Sequence, residues 1–153
     1  MGAQAGIRWT ILAALAVAGL ASGAAWSQSP RPANCPQPRF TGKAPDDYYN
    51  RANPLKATEA NLAAGEDRYR GDPRKISCAS CHGLAGDGKG RLADQFDPPP
   101  RNFACADTIR GIPDGQLFWI IRFGSPGTAM PAHKKYDDEQ VWQLVLHLRR
   151  LAR

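Results

Sequence analysis

Apolar residues recur with a helical period near the C-terminus of the chain. They fall at i, i+3, i+4 and i+7 spacing and so share one helical face: Val141, Leu144, Val145, Leu148 and Leu151. Asp137 or Asp138 is suited to begin this helix, because a carboxylate there accepts hydrogen bonds from the free N–H groups of the first turn. The pattern predicts an amphipathic terminal helix over Glu139 to Leu151.

Two further stretches carry helix start and stop signals around apolar positions. Thr58 is suited to cap a helix that runs to Arg70 and ends at Gly71. Asp114 is suited to cap another helix, which Gly124 ends. No alternating strand pattern and no internal repeat stands out in the sequence. We therefore predict an all-α protein of three to four short helices joined by long loops.

A leader-like segment opens the chain. Arg8 precedes an apolar stretch from Trp9 to Leu20, and small residues follow it up to Ser27. This order is typical of a secretory signal peptide, so we expect residues 1–27 to be cleaved near Ser27 and the mature protein to be periplasmic. The alternative is an uncleaved membrane anchor, but the apolar stretch is short against the about 20 residues that a spanning helix needs.

The rest of the chain divides near residue 56. Residues 28–56 are rich in proline, which opposes a helix and favours an extended arm over the surface. Residues 57–153 form the predicted domain, in which Gly83 to Pro100 is a loop rich in glycine and proline. Three short helices bury little apolar area, so we expect the chain to fold around a large apolar group.

The charge of the chain is basic, with a formal net charge of +6. No basic run is interleaved with aromatic residues, so we expect no nucleic acid partner. The charge suits docking on an acidic protein surface, and a merely solvated basic surface is the simpler alternative. We expect membrane contact only through a partner or an uncleaved leader.

The motif Cys78-Ala79-Ser80-Cys81-His82 has the spacing of a c-type haem attachment site. Two thiols three positions apart reach the two vinyl groups of one porphyrin, and the following imidazole becomes the proximal iron ligand. We therefore predict one covalent haem c on Cys78 and Cys81, with His82 on the iron. A thioredoxin-like redox pair would need a βαβ setting, and a structural zinc site would need two more ligands at short spacing.

The sixth iron ligand is predicted to be Met130, in the loop Gly127 to Pro131. It is the only methionine left after the leader is removed, and it lies outside every predicted helix. A thioether ligand favours ferrous iron and raises the reduction potential. His133 is the alternative ligand, whereas His147 falls within the terminal helix and is expected to pack there.

Taken in order along the chain, these features resemble a class I, monohaem cytochrome c. The resemblance covers Thr58 to Leu151 and rests on the first helix, the haem motif, the methionine loop and the terminal helix. It implies that the first and last helices cross closely, with Gly65 and Tyr69 on one side of the contact. On the last helix, His147 stands where such proteins often carry an aromatic residue, which gives it a structural role.

The remaining cysteines, Cys35 and Cys105, are expected to form a disulfide in an oxidising compartment. The bond would close a loop of about 70 residues and stabilise the fold by about 4 kcal/mol. It would also hold the arm near the loop that follows the haem motif. Two unpaired thiols are the alternative.

Supporting groups are harder to assign from sequence. The second ring nitrogen of His82 needs an acceptor, for which we predict a backbone carbonyl in Asp97 to Pro100. The haem propionates need donors, and the candidates of suitable type are Arg101, Asn102, Trp119 and Arg122. Lys134 and Lys135 follow the methionine loop and are candidates for a basic rim that steers an acidic redox partner.

The function predicted from these residues is single-electron transfer by a periplasmic carrier, a monomer without a catalytic residue of its own. The alternative is a dedicated haem subunit that accepts electrons within a dehydrogenase or reductase complex. A third possibility is a ligand-binding haem, which needs an open sixth position on the iron.

Overall fold

The computed structural model describes residues 1–2, 35–37 and 41–152. The predicted leader, apart from its first two residues, lies outside the described residues. Within them the chain forms helices and no strand, with bounds α1 Asp46–Tyr49, α2 Glu59–Arg70, α3 Cys78–His82, α4 Ala106–Ile109, α5 Asp114–Phe123, α6 Asp138–Leu151 and one 3₁₀ turn, Ala93–Gln95. The prediction of an all-α fold is confirmed. None of the described helices combines the length and the apolar character that crossing a bilayer requires.

Side-chain caps define the starts of α2 and α6, as predicted. The Thr58 hydroxyl accepts a hydrogen bond from the Asn61 N–H at 3.3 Å, and Gly71 ends α2 with a positive φ of 58°. At α6, Asp137 accepts from the Gln140 N–H at 2.8 Å. The Gln140 side chain in turn accepts from the Asp137 N–H at 3.1 Å, completing a capping box.

The start of α5 differs from the prediction. Pro113 is its N-cap, and Asp114 is already the first helical residue. The Asp114 carboxylate instead accepts from the Arg149 guanidinium at 2.8 Å, which ties α5 to the last turn of α6. Gly124 ends α5, as predicted, with a φ of 85°.

A close helix contact joins α2 and α6 at Gly65. A Cβ on Gly65 would overlap the backbone carbonyl of Gln143 and lie 3.1 Å from the Cβ of His147. Beside this contact, the rings of Tyr69 and His147 lie 4.9 Å apart. Only glycine permits this approach, which agrees with the close crossing that the resemblance implied.

The core lies between α2, α5 and α6. Its buried members include Ile109, Leu117, Phe118, Val141, Trp142, Leu144, Val145 and Leu148. The Phe118 and Trp142 rings join α5 to α6, with centroids 4.3 Å apart. The apolar positions that recur along α6 therefore face inward, as their spacing predicted.

Three short helices were not predicted. The one-turn α1 begins directly after Pro45, so the proline-rich arm is not extended throughout. It packs on α5 at Gly115, where a Cβ would lie 2.9 Å from the Tyr49 carbonyl oxygen. The other two are α3, which holds the cysteine motif, and α4, which begins after Cys105.

Candidate cofactor site

The motif residues are arranged by the single turn of α3. Cys78, Cys81 and His82 occupy positions i, i+3 and i+4, which share one face of a helix. The Ser80 hydroxyl accepts from the Ser77 N–H at 3.1 Å and so secures the start of the turn. Gly83 ends the turn with a φ of 81°. The two thiols and the imidazole are therefore presented together.

His82 is oriented by a backbone carbonyl. Its Nδ1 lies 3.0 Å from the Arg101 carbonyl oxygen, so Nδ1 donates the proton and Nε2 keeps its lone pair for a ligand. The predicted acceptor range, Asp97 to Pro100, was wrong by one residue. The imidazole also stacks on Phe103, with ring centroids 4.4 Å apart, and is 9% exposed. These contacts orient the ring as ligating imidazoles are usually oriented.

The two motif thiols are protonated at neutral pH in this fold. Burial raises the pKa of Cys78 to about 11, against a small opposing effect of the Lys135 charge. Burial also raises the pKa of Cys81, and here the Arg91 charge opposes the shift. A thioredoxin-like redox pair works with a lowered thiol pKa, so these values disfavour that alternative. For the zinc alternative, the part of the chain that the structure describes holds no group of three or more His, Cys, Asp or Glu side chains suited to a metal ion.

A cavity of about 690 Å³ opens beside α3. Its volume lies within the range of about 300–1,000 Å³ that is usual for ligand and cofactor sites. Cys81 and His82 line it, and so do Met130 and His133 from the loop after α5. The remaining lining is mostly apolar and includes residues of α5, Leu148 of α6, the proline run before Arg101 and the arm.

The loop that carries Met130 is held by backbone contacts. The Ser125 N–H donates to the Met130 carbonyl at 3.2 Å, and the Met130 N–H donates to the Thr128 hydroxyl at 3.2 Å. The His133 N–H donates to the Ile121 carbonyl at 3.0 Å. Because these bonds return the loop to α5, the Met130 thioether reaches the cavity that His82 lines.

The two other histidines differ in location. His133 lines the cavity, and burial lowers its pKa, with a further lowering by the Lys135 charge. His147 lies at the contact between α2 and α6, where it packs on Tyr69 and does not line the cavity. The packing role predicted for His147 agrees with this location, and both candidate sixth ligands remain at the cavity.

The comparison with protein families decides the assignment. A family model described as "Cytochrome c" matches residues 63–152, more than half of the chain. This protein belongs to the cytochrome c family. Membership implies covalently bound haem c and electron transfer by the haem. The matched region contains the motif and Met130, whereas the arm precedes it.

One solved structure is also similar to the chain. It is a chain of a reducing HAO-like protein complex from Kuenenia stuttgartiensis, with 28% sequence identity and a TM-score of 0.55. The match covers 65% of this chain and 47% of that one, so this protein spans about half the length of that relative. Among curated proteins, no significant match is found.

The residues at the cavity fit a haem c. One wall presents Cys81 and a buried, oriented imidazole, and the loop after α5 supplies a thioether. Such a donor set, one imidazole and one thioether, is suited to iron in a cytochrome c. The apolar lining suits the porphyrin and excludes water from it.

Of the four predicted propionate donors, one lines the cavity and three do not. Arg101 lines the cavity, but Asn102, Trp119 and Arg122 are outside its lining. Asn102 is buried at 1% exposure and accepts from the Cys105 N–H, while Arg122 binds the Tyr136 carbonyl and Asp138. In loops and on half-buried helix faces, residue type alone does not indicate which way a side chain points.

The arm adds lining residues that were not predicted. Thr41, Lys43 and Tyr49 reach the cavity from it, beside Arg101. Their polar character was visible in the sequence, and the expected Cys35–Cys105 disulfide placed the arm near the loop after the haem motif, but no pattern indicated that these three side chains line the cavity. Lys134 and Lys135 are exposed, and Lys135 is near enough to Cys78 to lower its pKa slightly.

Proposed function

We propose that this cytochrome c family protein is a periplasmic single-electron carrier with one haem c. Cys78 and Cys81 attach the haem through thioethers, and His82 and Met130 are its axial iron ligands. When bound, the haem supplies an iron that alternates between ferric and ferrous states, one electron at a time. The observation that carries the proposal is that an oriented His82 and the Met130 loop line the same cavity.

Met130 is the proposed sixth ligand, and backbone contacts hold its loop at the cavity, as they also hold His133. Backbone and hydroxyl contacts fix both its N–H and its carbonyl, and its side chain is half-buried at the cavity. A thioether favours ferrous iron, so this ligation gives a potential suited to an acceptor of electrons. His133 would lower the potential, because an imidazole stabilises ferric iron more than a thioether does.

A basic docking surface accompanies the site. The charged groups that act on the two motif thiols are Lys135 near Cys78 and Arg91 near Cys81. Ile76 lines the same cavity and is 74% exposed, which is unusual for an apolar side chain of its size. An apolar contact ringed by positive charge suits a transient complex with an acidic redox partner, whose association weakens as salt rises.

Export agrees with the chemistry of the arm. Cys35 and Cys105 lie with their Cα atoms 5.5 Å apart, in disulfide geometry. We propose that residues 1–27 direct the chain to the periplasm, are cleaved near Ser27, and that the disulfide forms there. Fractionation of the producing cells tests this: an oxidised protein that begins near Gln28 is expected in the periplasmic fraction.

A second candidate function is a dedicated haem subunit of a larger oxidoreductase. The observation that favours it is the similarity to a chain of a reducing HAO-like complex, which is itself an assembly. Gentle purification from the native cells separates the two candidates. A free carrier elutes alone as a monomer, whereas a subunit elutes with a partner in constant proportion through successive columns.

An optical redox titration of the mature protein tests the ligand set. The wild type is expected to show a reversible one-electron transition at positive potential with a low-spin spectrum in both states. Met130→Ala is expected to lose the low-spin ferrous spectrum and to lower the potential, while His133→Ala serves as the matched control and leaves both unchanged. The opposite pattern, with His133→Ala altering the spectrum and Met130→Ala leaving it intact, would assign the ligand to His133.

A further inference from the structure

The N-terminal arm forms part of the cavity wall. Five of the arm residues that the structure describes line the cavity: Pro36, Gln37, Thr41, Lys43 and Tyr49. All of them precede residue 63, where the match to the cytochrome c family begins. This part of the site is therefore a feature of this chain and lies outside the region that identifies the family.

Gln116 of α5 holds the arm against the domain. Its Oε1 accepts from the Ala44 N–H at 2.7 Å, and its Nε2 donates to the Gly42 carbonyl at 2.9 Å. Gln116 is 5% exposed and Ala44 is 2% exposed, so the bond to Ala44 is buried, whereas the bond to Gly42 is partly buried. A buried side chain amide that satisfies one backbone donor and one acceptor fixes the arm on both sides of Lys43.

The arm is also attached to the domain on either side of its contact with Gln116. The Gln37 side chain accepts from the Asn102 N–H at 2.7 Å, next to the Cys35–Cys105 disulfide. Further along, α1 packs on Gly115 so closely that a Cβ there would lie 2.9 Å from the Tyr49 carbonyl oxygen. With three points of attachment, the lining groups between them are positioned before any ligand binds.

The chemistry of this wall suits carboxylates. We define the polar wall as Thr41, Lys43, Tyr49 and Arg101. The Arg101 guanidinium donates to the Thr41 hydroxyl at 2.8 Å, and the Lys43 ammonium lies 4.7 Å from the centre of the Tyr49 ring. Two cations and two hydroxyl groups thus adjoin a cavity whose remaining lining is mostly apolar.

Acidic groups near the polar wall do not neutralise it. Asp46 pairs with Lys43 at 2.6 Å, but both side chains are mostly exposed, and such pairs contribute little. Asp107 also lines the cavity and is exposed. The Lys43 ammonium can therefore leave the exposed Asp46 carboxylate and bind a carboxylate that is shielded from water. The electrostatic attraction between the two charges is stronger there.

We propose that the polar wall binds the propionate carboxylates of haem c, so that the arm completes the cofactor site and helps to set its potential. This inference rests on the proposed function. Arg101 offers paired N–H donors for a carboxylate, Lys43 offers a compact charge, and Thr41 and Tyr49 offer hydroxyl donors. Positive charge at this wall favours the ferrous iron, because reduction adds an electron nearby.

The test compares two lysines of the same arm in the mature haem protein. Lys43→Gln removes a charge from the polar wall, and Lys56→Gln removes the same charge from an exposed position outside the cavity lining. Optical redox titration at one pH and one ionic strength gives both midpoint potentials. Lys43→Gln is expected to lower the potential, with a shift several-fold larger than that of Lys56→Gln. Equal shifts would overturn the inference.

A second variant is used if the Lys43→Gln protein does not form the folded haem protein. Tyr49→Phe keeps the ring and removes one hydroxyl donor, and a lowered potential is again expected. An unchanged potential in Tyr49→Phe would then count against the polar wall. Failure of the proposed function is recognised separately, because the wild type itself would carry no covalent haem.

Discussion

Acidification is expected to destabilise this protein through His147, the imidazole at the contact between α2 and α6. His147 is 3% exposed and packs on the Tyr69 ring. Its Nδ1 lies 3.5 Å from a guanidinium nitrogen of Arg150, so Nδ1 is the acceptor and Nε2 carries the proton in the neutral ring. Burial and, to a lesser extent, the Arg150 charge lower the pKa of His147 to about 4, against an opposing effect of Glu66.

The size of the stability loss on acidification follows from this lowered pKa. In the unfolded chain the group returns to its ordinary value of 6.5, so between pH 6.5 and about 4 the unfolded state binds more protons than the folded state. The contribution to stability is complete above pH 6.5 and is lost as the pH falls. Each pH unit in this window costs about 1.4 kcal/mol, so the full loss approaches about 3 kcal/mol near pH 4.

His147→Phe isolates the effect. The substitution keeps an aromatic ring against Tyr69 and removes a buried Nε2–H that has no hydrogen-bond partner among the described residues. The variant is therefore expected to be more stable by about 1–3 kcal/mol at neutral pH. Its advantage over the wild type is then expected to grow further on acidification, by about 1.4 kcal/mol per pH unit below 6.5.

The assay is urea unfolding of both haem proteins, followed by far-UV circular dichroism at several pH values between 7.5 and 4.5. Titrating groups that do not interact with His147 are common to the two proteins and cancel in the difference, whereas Glu66 belongs with His147 because each shifts the pKa of the other. A difference in unfolding free energy that stays flat from pH 7 to pH 4.5 would refute the reasoning, since it would mean that His147 titrates normally in the folded state.

The remaining predictions concern the close contact of α2 with α6 and the attachment of the arm. Gly65→Ala is expected to destabilise the fold by about 2 kcal/mol or more despite better helix propensity, because the added Cβ meets a backbone carbonyl. Gly111→Ala, with no atom within 4 Å of the new Cβ, is its control and is expected to change stability by less than about 1 kcal/mol in the same urea assay. Gln116→Leu is expected to cost about 1–3 kcal/mol, because it leaves the buried Ala44 N–H and the partly buried Gly42 carbonyl without their partner. Faster proteolysis within residues 35–56 measures the loosened arm, and wild-type resistance there would contradict this role of Gln116.

The elements that were predictable from sequence are those with local causes. Both α2 and α6 are capped by residues whose side chains bond N–H groups within three positions, so neither needs tertiary contacts to define its start. By contrast, α1 and α4 are single turns, too short for a hydrophobic period to be recognised. The fit of α1 against Gly115 depends on residues more than sixty positions apart.

The residues of the site also separate into those that local sequence predicted and those that it did not. Cys78, Cys81 and His82 were predicted as haem-binding residues because such a motif depends on spacing within one helical turn, and the structure places all three in that turn. The acceptor for His82 Nδ1 was missed by one residue, because a loop carbonyl is positioned by the whole course of the loop. Asn102, Trp119 and Arg122 were proposed for the cavity by residue type and lie outside its lining.

What the sequence by itself determined is the all-α class, the three longer helices, the haem motif and the candidate ligand Met130. These follow from periodicity, capping and ligand spacing, which act over a few residues. Only the tertiary structure decided that the arm lines the cavity and that Lys43 and Tyr49 adjoin Arg101 there. Those positions depend on hydrogen bonds and packing between distant segments, such as Gln116 with the arm, and no local pattern encodes such contacts.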